Sequence, residues 1–523
     1  MSDKNEQSEK PSKKGVSRRS LIAGGLGVGA LLAAGPIAGC GGSQESYVAT
    51  GGNNQPQPDN TPTPTPTGPP VVEHTLEVDF STFSIGGTVF KARCYNGQLP
   101  GPIFRVKPGD RLQVNVINKL PPNTDPMPPN INIPHHFNTT NLHFHGSHVS
   151  PSQDDIFTEI EPGSSRLYTY DLPRDQPTGT HWYHPHKHSA VAVQMFSGMA
   201  GMIIVEGGVD HVPEVAAAKE VPVILNELMI GKPAPGNYPG EVPDFTDLGV
   251  YNTEADRTWV LNGELLPVFK IRPGEVQRWR FLNAGVSQVI PLEIQGHTQH
   301  TIAYDGITYN SVVEETENVL SPANRVDFLI KGGAPGQYPI MKNAFNQVGM
   351  NNTPAVQLGT LVVEGEPMDM ALPTTLPGPA AHLTPIEDSE ITGNRTVVYD
   401  FVQPATGADA LSPDFPVLAT IDGVRFDPNV VGQTILLDSV EEWTLENPST
   451  RSHPFHIHIN PFQVVAINGV PQNPRRWQDT VLIPQMGTVT IRSRFIDYTG
   501  KYVNHCHFLA HEDMGMMQIV EVI

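Results

Sequence analysis

Three stretches of the sequence decide its architecture, because they repeat one another at a nearly constant interval. They read "FRVKPGDRLQVNVIN" (104–118), "FKIRPGEVQRWRFLN" (269–283) and "ILLDSVEEWTLEN" (435–447). Each stretch ends in an asparagine, and these asparagines are 165 and 164 residues apart. A second set of segments recurs at a similar interval: "GMIIVEG" (201–207), "GTLVVEG" (359–365) and "MMQIVEV" (516–522). This repetition predicts three related structural units of near-equal length.

Within each unit, short runs alternate apolar and polar residues and are separated by turn-forming Pro-Gly and Asn-Gly pairs. Alternation with a period of two places every second side chain on one buried face, which is typical of sandwiches of short antiparallel strands. We therefore predict an all-β protein with three consecutive β-sandwich domains. Their expected ranges are 71–210, 211–368 and 369–523.

The charge of the chain limits its partners. The 523 residues carry a formal net charge of −21, and only 17% of them are charged. Binding of nucleic acid or of an anionic membrane surface requires a basic patch, and none is evident in the sequence. We expect neither as a partner, and we expect neutral or cationic small molecules instead.

The first 40 residues have the pattern of an export signal. Arg18 and Arg19 precede a charge-free, glycine-rich apolar run that ends in "IAGC" (37–40). The segment resembles a twin-arginine signal with a lipobox, and it predicts an exported bacterial lipoprotein, periplasmic or at the cell surface, anchored to the membrane only through Cys40. A transmembrane anchor is the alternative, since the apolar run is almost long enough to span a bilayer. Residues 41–70, rich in Gly, Thr and Pro, are expected to form a disordered linker.

Histidines are concentrated in four short clusters. The clusters are "HFHG" (His143, His145), "HPH" (His184, His186), "HPFHIH" (His453, His456, His458) and "HCHFLAH" (His505, His507, His511). Residues two apart on a strand project to the same side, so each His-x-His pair presents two imidazoles together. Two pairs fall in the first unit and two in the third, with none in the second. We therefore expect eight imidazoles to meet between the first and third domains.

Cys506 stands between His505 and His507, so its side chain must point to the opposite face of the strand. One strand can then contribute to two metal sites at once. The candidate partners of Cys506 are His453, His511 and Met516, with Met514 and Met517 as alternative thioethers.

Two imidazoles, one thiolate and a weakly bound axial methionine form the trigonal set that selects copper. Zinc is the competing assignment, but structural zinc sites are closed tetrahedra in which methionine is not a usual ligand. The ligand types therefore favour copper on the cysteine side of the strand.

Taken together, the clusters resemble the signatures of the multicopper oxidase family. H-x-H-G, H-x-H, H-x-x-H-x-H and H-C-H-x3-H-x4-M occur here in that order, and the likeness extends over the body of the chain. The segments "YNGQLPGPIFRVKPGD" (95–110) and "RRWQDTVLIP" (475–484) also resemble family framework segments. The resemblance implies cupredoxin-like Greek-key domains that hold four copper ions per chain.

The resemblance also implies a role for each ligand. The type 1 copper would be held by His453, Cys506, His511 and Met516; the type 2 copper by His143 and His456; and the type 3 pair by His145, His184, His186, His458, His505 and His507. A small reducing substrate would give up single electrons at the type 1 site, and O2 would be reduced to water at the trinuclear site.

Reduction of O2 to water consumes protons, which carboxylates near the cluster would supply. Asp154 and Asp155 follow the first histidine pair closely, and Glu512 directly follows His511. These positions resemble acidic proton-relay positions of the family. The alternative interpretation is a solvated loop and a surface acid.

Several functions within and outside the family remain open from the sequence. The leading hypothesis is a laccase-like oxidase of phenols or aromatic amines, and a cuprous or manganous oxidase is the alternative. A non-catalytic structural relative would have lost the ligands, and a copper nitrite reductase resembles a two-domain design without this full set of histidine pairs. Three domains already supply the interdomain cluster, so a monomer suffices. The remaining cysteine, Cys94, is expected to be a buried thiol.

Overall fold

The computed structural model describes residues 68–230, 240–241, 257–346, 353–402 and 418–523. The expected export signal lies outside the described residues, as does the expected linker apart from residues 68–70. Where the chain is described, no helix combines the length and the apolar character needed to cross a bilayer.

The first third of the described chain consists mainly of strands. In chain order its elements are β1 (Val71–Ile85), β2 (Thr88–Tyr95), β3 (Phe104–Val106), β4 (Arg111–Asn118), β5 (His143–His145), β6 (Ser165–Asp171), β7 (Gly179–His184), α1 (Val191–Phe196), β8 (Gly201–Val205), a 3-10 helix (Gly208–His211) and α2 (Pro213–Ala217).

The second third contributes further strands. They are β9 (Lys219–Met229), β10 (Gly240–Glu241), β11 (Arg257–Leu261), β12 (Val268–Ile271), β13 (Val276–Ala284), β14 (Ile290–Ile294), β15 (Gln299–Tyr304), β16 (Ile307–Glu315), β17 (Glu317–Leu320), β18 (Arg325–Lys331), β19 (Gly336–Lys342) and β20 (Val356–Val363).

The last third again consists of strands with short helices. Its elements are a 3-10 helix (Asp388–Glu390), β21 (Gly393–Val402), β22 (Leu418–Ile421), β23 (Val431–Ile435), β24 (Ser439–Asn447), β25 (His453–Ile457), β26 (Phe462–Ile467), β27 (Val470–Pro471), β28 (Trp477–Gln478), β29 (Thr480–Ile483), β30 (Gly487–Phe495), β31 (Gly500–Cys506), α3 (Leu509–Asp513) and β32 (Met517–Val522).

Among the described residues, each third forms two sheets, and β10 of the second third joins a sheet of the first third beside β2. Their strand orders are β10-β2-β1-β4-β6 and β3-β8-β7-β5 for the first third, β11-β9-β13-β18-β15-β16 and β12-β20-β19-β14-β17 for the second, and β22-β21-β24-β30-β26-β27 (with β28 beside β26) and β23-β32-β31-β25-β29 for the last. Neighbouring strands that are not consecutive in sequence, such as the parallel pair β1 and β4, are what Greek-key connections produce.

The asparagine that ends each repeat forms the same corner. Oδ1 of Asn118 accepts the N–H of Leu120 at 3.1 Å, and its Nδ2 donates to the carbonyl of Ile160 at 2.9 Å. Asn283 and Asn447 make equivalent bonds, to the N–H two residues later and to distant carbonyls. In all three repeats the asparagine amide therefore provides hydrogen-bond partners for backbone N–H and C=O groups where the strand ends.

Strand β13 explains how the second third lies against its neighbours. Every residue of β13 is buried, whereas β4 alternates buried and half-buried residues. Trp279 and Phe281 enter the core of the second third, and Arg278 and Arg280 project from the opposite face to ion pairs with Asp327. A strand that is covered on both faces places buried charges at the interface between sheets.

The predicted all-β fold of cupredoxin-like sandwiches is confirmed by these sheets. The boundaries at residues 211 and 369 stay predictions. Residues 66–523 form one compact unit, and its largest hydrophobic cluster combines residues of all three thirds, for example Trp182, Ile224 and Phe455. The first and last thirds are therefore held together closely enough to share a site.

Candidate metal centre

One candidate metal site surrounds Cys506 at the end of β31. Its Sγ atom lies 3.6 Å from Nδ1 of His453 and 3.6 Å from Nδ1 of His511, and these two nitrogens are 3.3 Å apart. All three residues are buried. Phe401 packs edge-on against both imidazoles. Two nitrogens and one sulfur therefore converge on a single point in an apolar pocket.

Met516 is held next to this group by backbone hydrogen bonds. Its N–H donates to the carbonyl of His511 at 2.9 Å, and its carbonyl accepts the N–H of Cys506 at 3.0 Å. The Met516 side chain is fully buried. The axial role of Met516 stays a prediction.

The other candidate site is a cluster of eight buried histidines. Pairing of β5 with β7 sets His143 opposite His184, and pairing of β25 with β31 sets His456 opposite His505. The predicted His-x-His geometry is present: the rings of His143 and His145 are 5.4 Å apart, for example. The cluster consists of His143, His145, His184, His186, His456, His458, His505 and His507. The histidines of the first and last thirds thus meet, as the distribution of the pairs predicts.

The ring nitrogens of this cluster point inward without partners. Among the described residues, the buried ring nitrogens of this cluster that have no hydrogen bond are Nε2 of His143, His184 and His456, Nδ1 of His145, His186 and His458, and both nitrogens of His507. Nε2 of His186 lies 3.1 Å from Nε2 of both His458 and His505. Buried polar atoms normally have partners, so a collection of orphaned lone pairs indicates a ligand set.

Hydrogen bonds on the outer side of the rings orient several of these lone pairs. Nδ1 of His184 lies 2.9 Å from the carbonyl of Pro185, and Nδ1 of His456 lies 2.8 Å from the carbonyl of Asp479. A carbonyl only accepts, so Nδ1 carries the proton and Nε2 is left with its lone pair.

Burial favours the neutral form of several of these imidazoles. Burial, followed by repulsion between neighbouring imidazoles, holds the pKa of His143, His456 and His507 well below its usual value. Neutral imidazole is the form that binds a metal ion. Burial also raises the pKa of the Cys506 thiol, so metal binding there must displace a proton.

Comparison with known proteins identifies the family. Family models described as multicopper oxidase match residues 77–126 and 131–209, residues 178–366 and residues 397–523. The chain belongs to the multicopper oxidases. The resemblance found in the sequence is therefore confirmed, and the protein is a copper-dependent oxidoreductase that uses oxygen.

Individual relatives agree with this membership. A laccase of Bacillus stratosphericus is 25% identical over 470 residues, covering 82% of this chain and 90% of the laccase. A multicopper oxidase of Staphylococcus haemolyticus is 26% identical, with 82% and 83% covered. Among solved structures, a Campylobacter jejuni multicopper oxidase described as a metallo-oxidase has 25% identity and a TM-score of 0.71, with 86% of this chain and 91% of that chain covered.

The donor set of this multicopper oxidase fits copper. The cysteine site offers the thiolate and two imidazoles that copper prefers, and the histidine cluster offers only imidazoles. Because His505 and His507 belong to the cluster while Cys506 faces the other site, one strand joins the two sites through the backbone.

The two neighbouring acids that the sequence singled out have different surroundings. Asp154 is buried, with Oδ2 at 2.7 Å from Nδ1 of His143, and burial raises its pKa well above the usual value. Asp155 is partly exposed and pairs with Arg166 at 2.8 Å. Partial burial favours its neutral form, but hydrogen bonds from Thr158 and Arg166 outweigh this and lower its pKa. Only Asp154 of the two touches the cluster.

Glu512 lies on the other side of the cluster. It is fully buried on α3, with Oε2 at 2.9 Å from Nδ1 of His505 and Oε1 at 3.4 Å from Nδ1 of His186. Burial opposes its ionisation, but the positive charge of His505 and His186 when protonated outweighs this and lowers its pKa. The interpretation of Glu512 as an exposed surface acid is excluded by its burial.

Asp479 and Arg325 also lie beside the cluster, and neither was predicted from the sequence. Oδ1 of Asp479 lies 3.0 Å from Nε2 of His145, and both carboxylate oxygens accept hydrogen bonds from Arg325 at 2.9 and 2.7 Å. "RRWQDTVLIP" could have drawn attention to Asp479, since it resembles a family segment. Nothing local marks Arg325, because its partner is 154 residues away.

The histidines that flank the clusters do not contact the ligand candidates by hydrogen bonds. His148 bonds to the carbonyl of Ile459 and to Asp497, and His181 bonds to the carbonyl of Pro177. Cys94 is buried, and its thiol donates to the carbonyl of Asp79 at 3.5 Å. These residues have structural partners of their own.

Proposed function

We propose that the protein is a laccase-like oxidase that takes single electrons from phenols or aromatic amines and reduces O2 to water. The observation that carries this proposal is the shared strand: Cys506 belongs to one candidate site and its two neighbours belong to the other. Four coppers are proposed: type 1 at His453, Cys506, His511 and Met516; type 2 at His143 and His456; and the type 3 pair at His145, His184, His186, His458, His505 and His507.

Copper in these sites would supply reversible one-electron transfer and the multi-electron reduction of O2. The chain itself supplies the path, since Cys506 and His505 are joined covalently. His511 is the more accessible imidazole of the cysteine site, with 3% of its surface exposed against 0% for His453. We therefore propose that the organic donor approaches at His511.

A cavity offers a route for a small molecule to the histidine cluster. It has a volume of about 220 Å³ and is lined by Phe157, Phe426, Ile131, Met517 and His186, among others. His186 is a cluster residue, so the inner end of the cavity reaches the proposed type 3 pair. Glu159, Lys187, His135 and His188 also line it, but its walls are mainly apolar, which suits a neutral diatomic molecule such as O2.

Asp154 and Glu512 are the proposed proton-relay residues. Their carboxyl groups contact the outer nitrogens of His143 and His505, on two sides of the cluster. A proton released there would reach a reduced oxygen through an adjacent water, because the inner nitrogens of these imidazoles would be bound to the metal. Asp155, the third candidate, is already engaged by Arg166 and is the weakest of the three.

Oxidation of a metal ion such as Cu(I) or Mn(II) is the second candidate function. The similar Campylobacter jejuni structure is described as a metallo-oxidase. The net charge of −21 would also attract cations. The two candidates share every proposed copper ligand and differ only in the donor at the cysteine site.

The first experiment would load the protein with copper and measure copper content, absorption and oxygen uptake. We expect four coppers per chain, an intense thiolate-to-copper band in the visible and oxygen consumption. Faster uptake with a phenol than with Cu(I) supports the laccase-like function, and the reverse order supports the metal oxidase. A colourless protein, or one that consumes no oxygen with either donor, contradicts both.

We also propose that the protein is exported and tethered through a lipidated Cys40, and that it acts as a monomer. The twin-arginine pattern and "IAGC" (37–40) support export. Cell fractionation of the full chain and of the variant Cys40→Ala would test this. Membrane association that survives the substitution argues for an uncleaved anchor instead, and a mass measurement in solution tests the monomer.

A further inference from the structure

The second third of the chain contributes no histidine to the cluster, yet one of its side chains reaches it. Arg325 opens β18 and is fully buried. Its Nε donates to the carbonyl of Thr180 in the first third at 3.0 Å. Its two terminal nitrogens donate to Asp479 in the last third at 2.9 and 2.7 Å. One guanidinium therefore joins all three thirds of the chain.

Asp479 links Arg325 to the histidine cluster. The oxygen that accepts from Nη1 of Arg325 also lies 3.0 Å from Nε2 of His145. The backbone carbonyl of Asp479 lies 2.8 Å from Nδ1 of His456. Both oxygens of the carboxylate are taken by Arg325, so we place Asp479 behind the two histidines and not among the ligands.

This arrangement determines which nitrogen of His145 faces the cluster. The Asp479 oxygen that accepts the hydrogen bond from Nη1 of Arg325 acts as an acceptor toward His145 as well. Nε2 of His145 must then carry the proton, and Nδ1 keeps the lone pair. Nδ1 is the nitrogen that is buried without a partner.

We propose that Arg325 is a positioning residue of the trinuclear site: by its paired hydrogen bonds to Asp479 it sets the orientation and tautomer of His145 and steadies His456. This proposal rests on the proposed assignment of those two histidines as copper ligands. It gives the second third, which lacks ligands, a defined part in building the site.

The residues around Arg325 leave room for its close contact with Asp479. Gly146, which follows His145, has a φ of +91°, and a Cβ atom there would lie 2.7 Å from Nη2 of Arg325 and 3.2 Å from Oδ2 of Asp479. Only glycine lets the guanidinium and the carboxylate approach this closely. Lysine has one charged nitrogen and could not form the paired bond while also donating to Thr180.

Arg280 supplies a matched control. It is also buried on the second third and also bridges to the first third, with hydrogen bonds to Asp327 at 2.7 Å and to the hydroxyl of Thr180 at 3.2 Å. It makes no contact with the histidine cluster or with Asp479. Substitution of Arg280 therefore removes a comparable interface charge without reaching the copper site.

The test compares R325Q, R325K, D479N and R280Q in the full copper-loaded chain. The measurements are copper content per chain, the electron paramagnetic resonance signal of the type 2 copper, and the visible band of the type 1 copper. We expect R325Q and D479N to retain trinuclear copper about 10- to 100-fold more weakly and to shift the type 2 signal. The type 1 band should persist in every variant, and R325K should lie between R325Q and the wild type.

R280Q should lose thermal stability but keep all its copper and an unchanged type 2 signal. The proposal is overturned if R325Q, R325K and D479N retain trinuclear copper as R280Q does, or if R280Q loses it equally. If R325Q yields no soluble protein, trinuclear copper retention in R325K and D479N, compared with R280Q, decides whether the proposal holds. Absence of copper from the wild-type protein would instead refute the proposed function itself.

Discussion

The Sγ atom of Cys506 lies 3.6 Å from Nδ1 of His453, on the face of β31 that points away from the histidine cluster. His505 and His507, one residue to either side, point into that cluster. The alternation of a single strand therefore separates the two candidate sites and joins them through two peptide units.

Substitution of Cys506 by serine should abolish the visible band and turnover while leaving trinuclear copper bound. The reason is that only the cysteine site loses its thiolate, and serine leaves the backbone of β31 unchanged. Absorption and copper analysis would show this. The matched control is Cys94→Ser, which should keep its colour and activity, because Cys94 donates to the carbonyl of Asp79 and belongs to neither candidate site.

Substitution of Met516 by leucine should raise the reduction potential of the cysteine site, because loss of a weak sulfur donor disfavours the oxidised metal. Redox titration of the visible band measures this. Met514→Leu and Met517→Leu serve as controls and should leave the potential unchanged. If the potential shifts in one of these control variants and not in the Met516 variant, the axial ligand is that other methionine.

Substitution of Asp154 by asparagine should lower turnover about 10- to 100-fold, since its carboxyl group contacts the ring of His143. Oxygen uptake at saturating donor is the measurement. The control variant Asp155→Asn makes the same substitution one residue away, and it should turn over close to the wild-type rate. It should cost at most about 1 kcal/mol of stability, as expected for a partly exposed ion pair. Equal losses in both variants would contradict the assignment to Asp154.

The copper-free protein should lose stability as the pH falls below 6.5. Burial, followed by the nearby charge of Arg325, lowers the pKa of His181 from 6.5 to about 3. Between these values the unfolded chain binds a proton that the folded chain does not, so the free energy of unfolding falls by about 1.4 kcal/mol per pH unit for this residue.

The variant His181→Gln isolates this contribution, because its amide can still donate to the carbonyl of Pro177. Denaturant unfolding at several pH values across this window should show a slope smaller by about one proton than that of the wild type. An unchanged slope would mean that His181 is protonated in the folded state.

Much of the site was predictable from the sequence because its information is local. The spacing of His143 and His145, or of His505, Cys506 and His507, determines which side chains share a face of a strand, whatever the strand packs against. The distribution of the pairs between the first and third repeats also predicted where they meet. The twelve proposed ligands needed no distant partner to be noticed.

The parts that were missed depend on residues far apart in the chain. Asp154 and Asp155 look alike in the sequence, and only the packing of β5 shows that Asp154 faces His143. Arg325 has no local mark of function, since its role comes from a pair with Asp479, which lies between β28 and β29 in the last third of the chain.

By itself the sequence determined the all-β repeat, the family and the faces on which the ligands lie, because strand periodicity and residue spacing are properties of neighbouring residues. Only the tertiary structure decided which carboxylates touch the cluster, which nitrogen of His145 is free and how the second third takes part. Those outcomes depend on burial and on charged pairs that form between distant parts of the chain. The low polarity of the interior strengthens each hydrogen bond to a charged group and makes an unpaired polar group costly, so these contacts determine how the side chains are oriented.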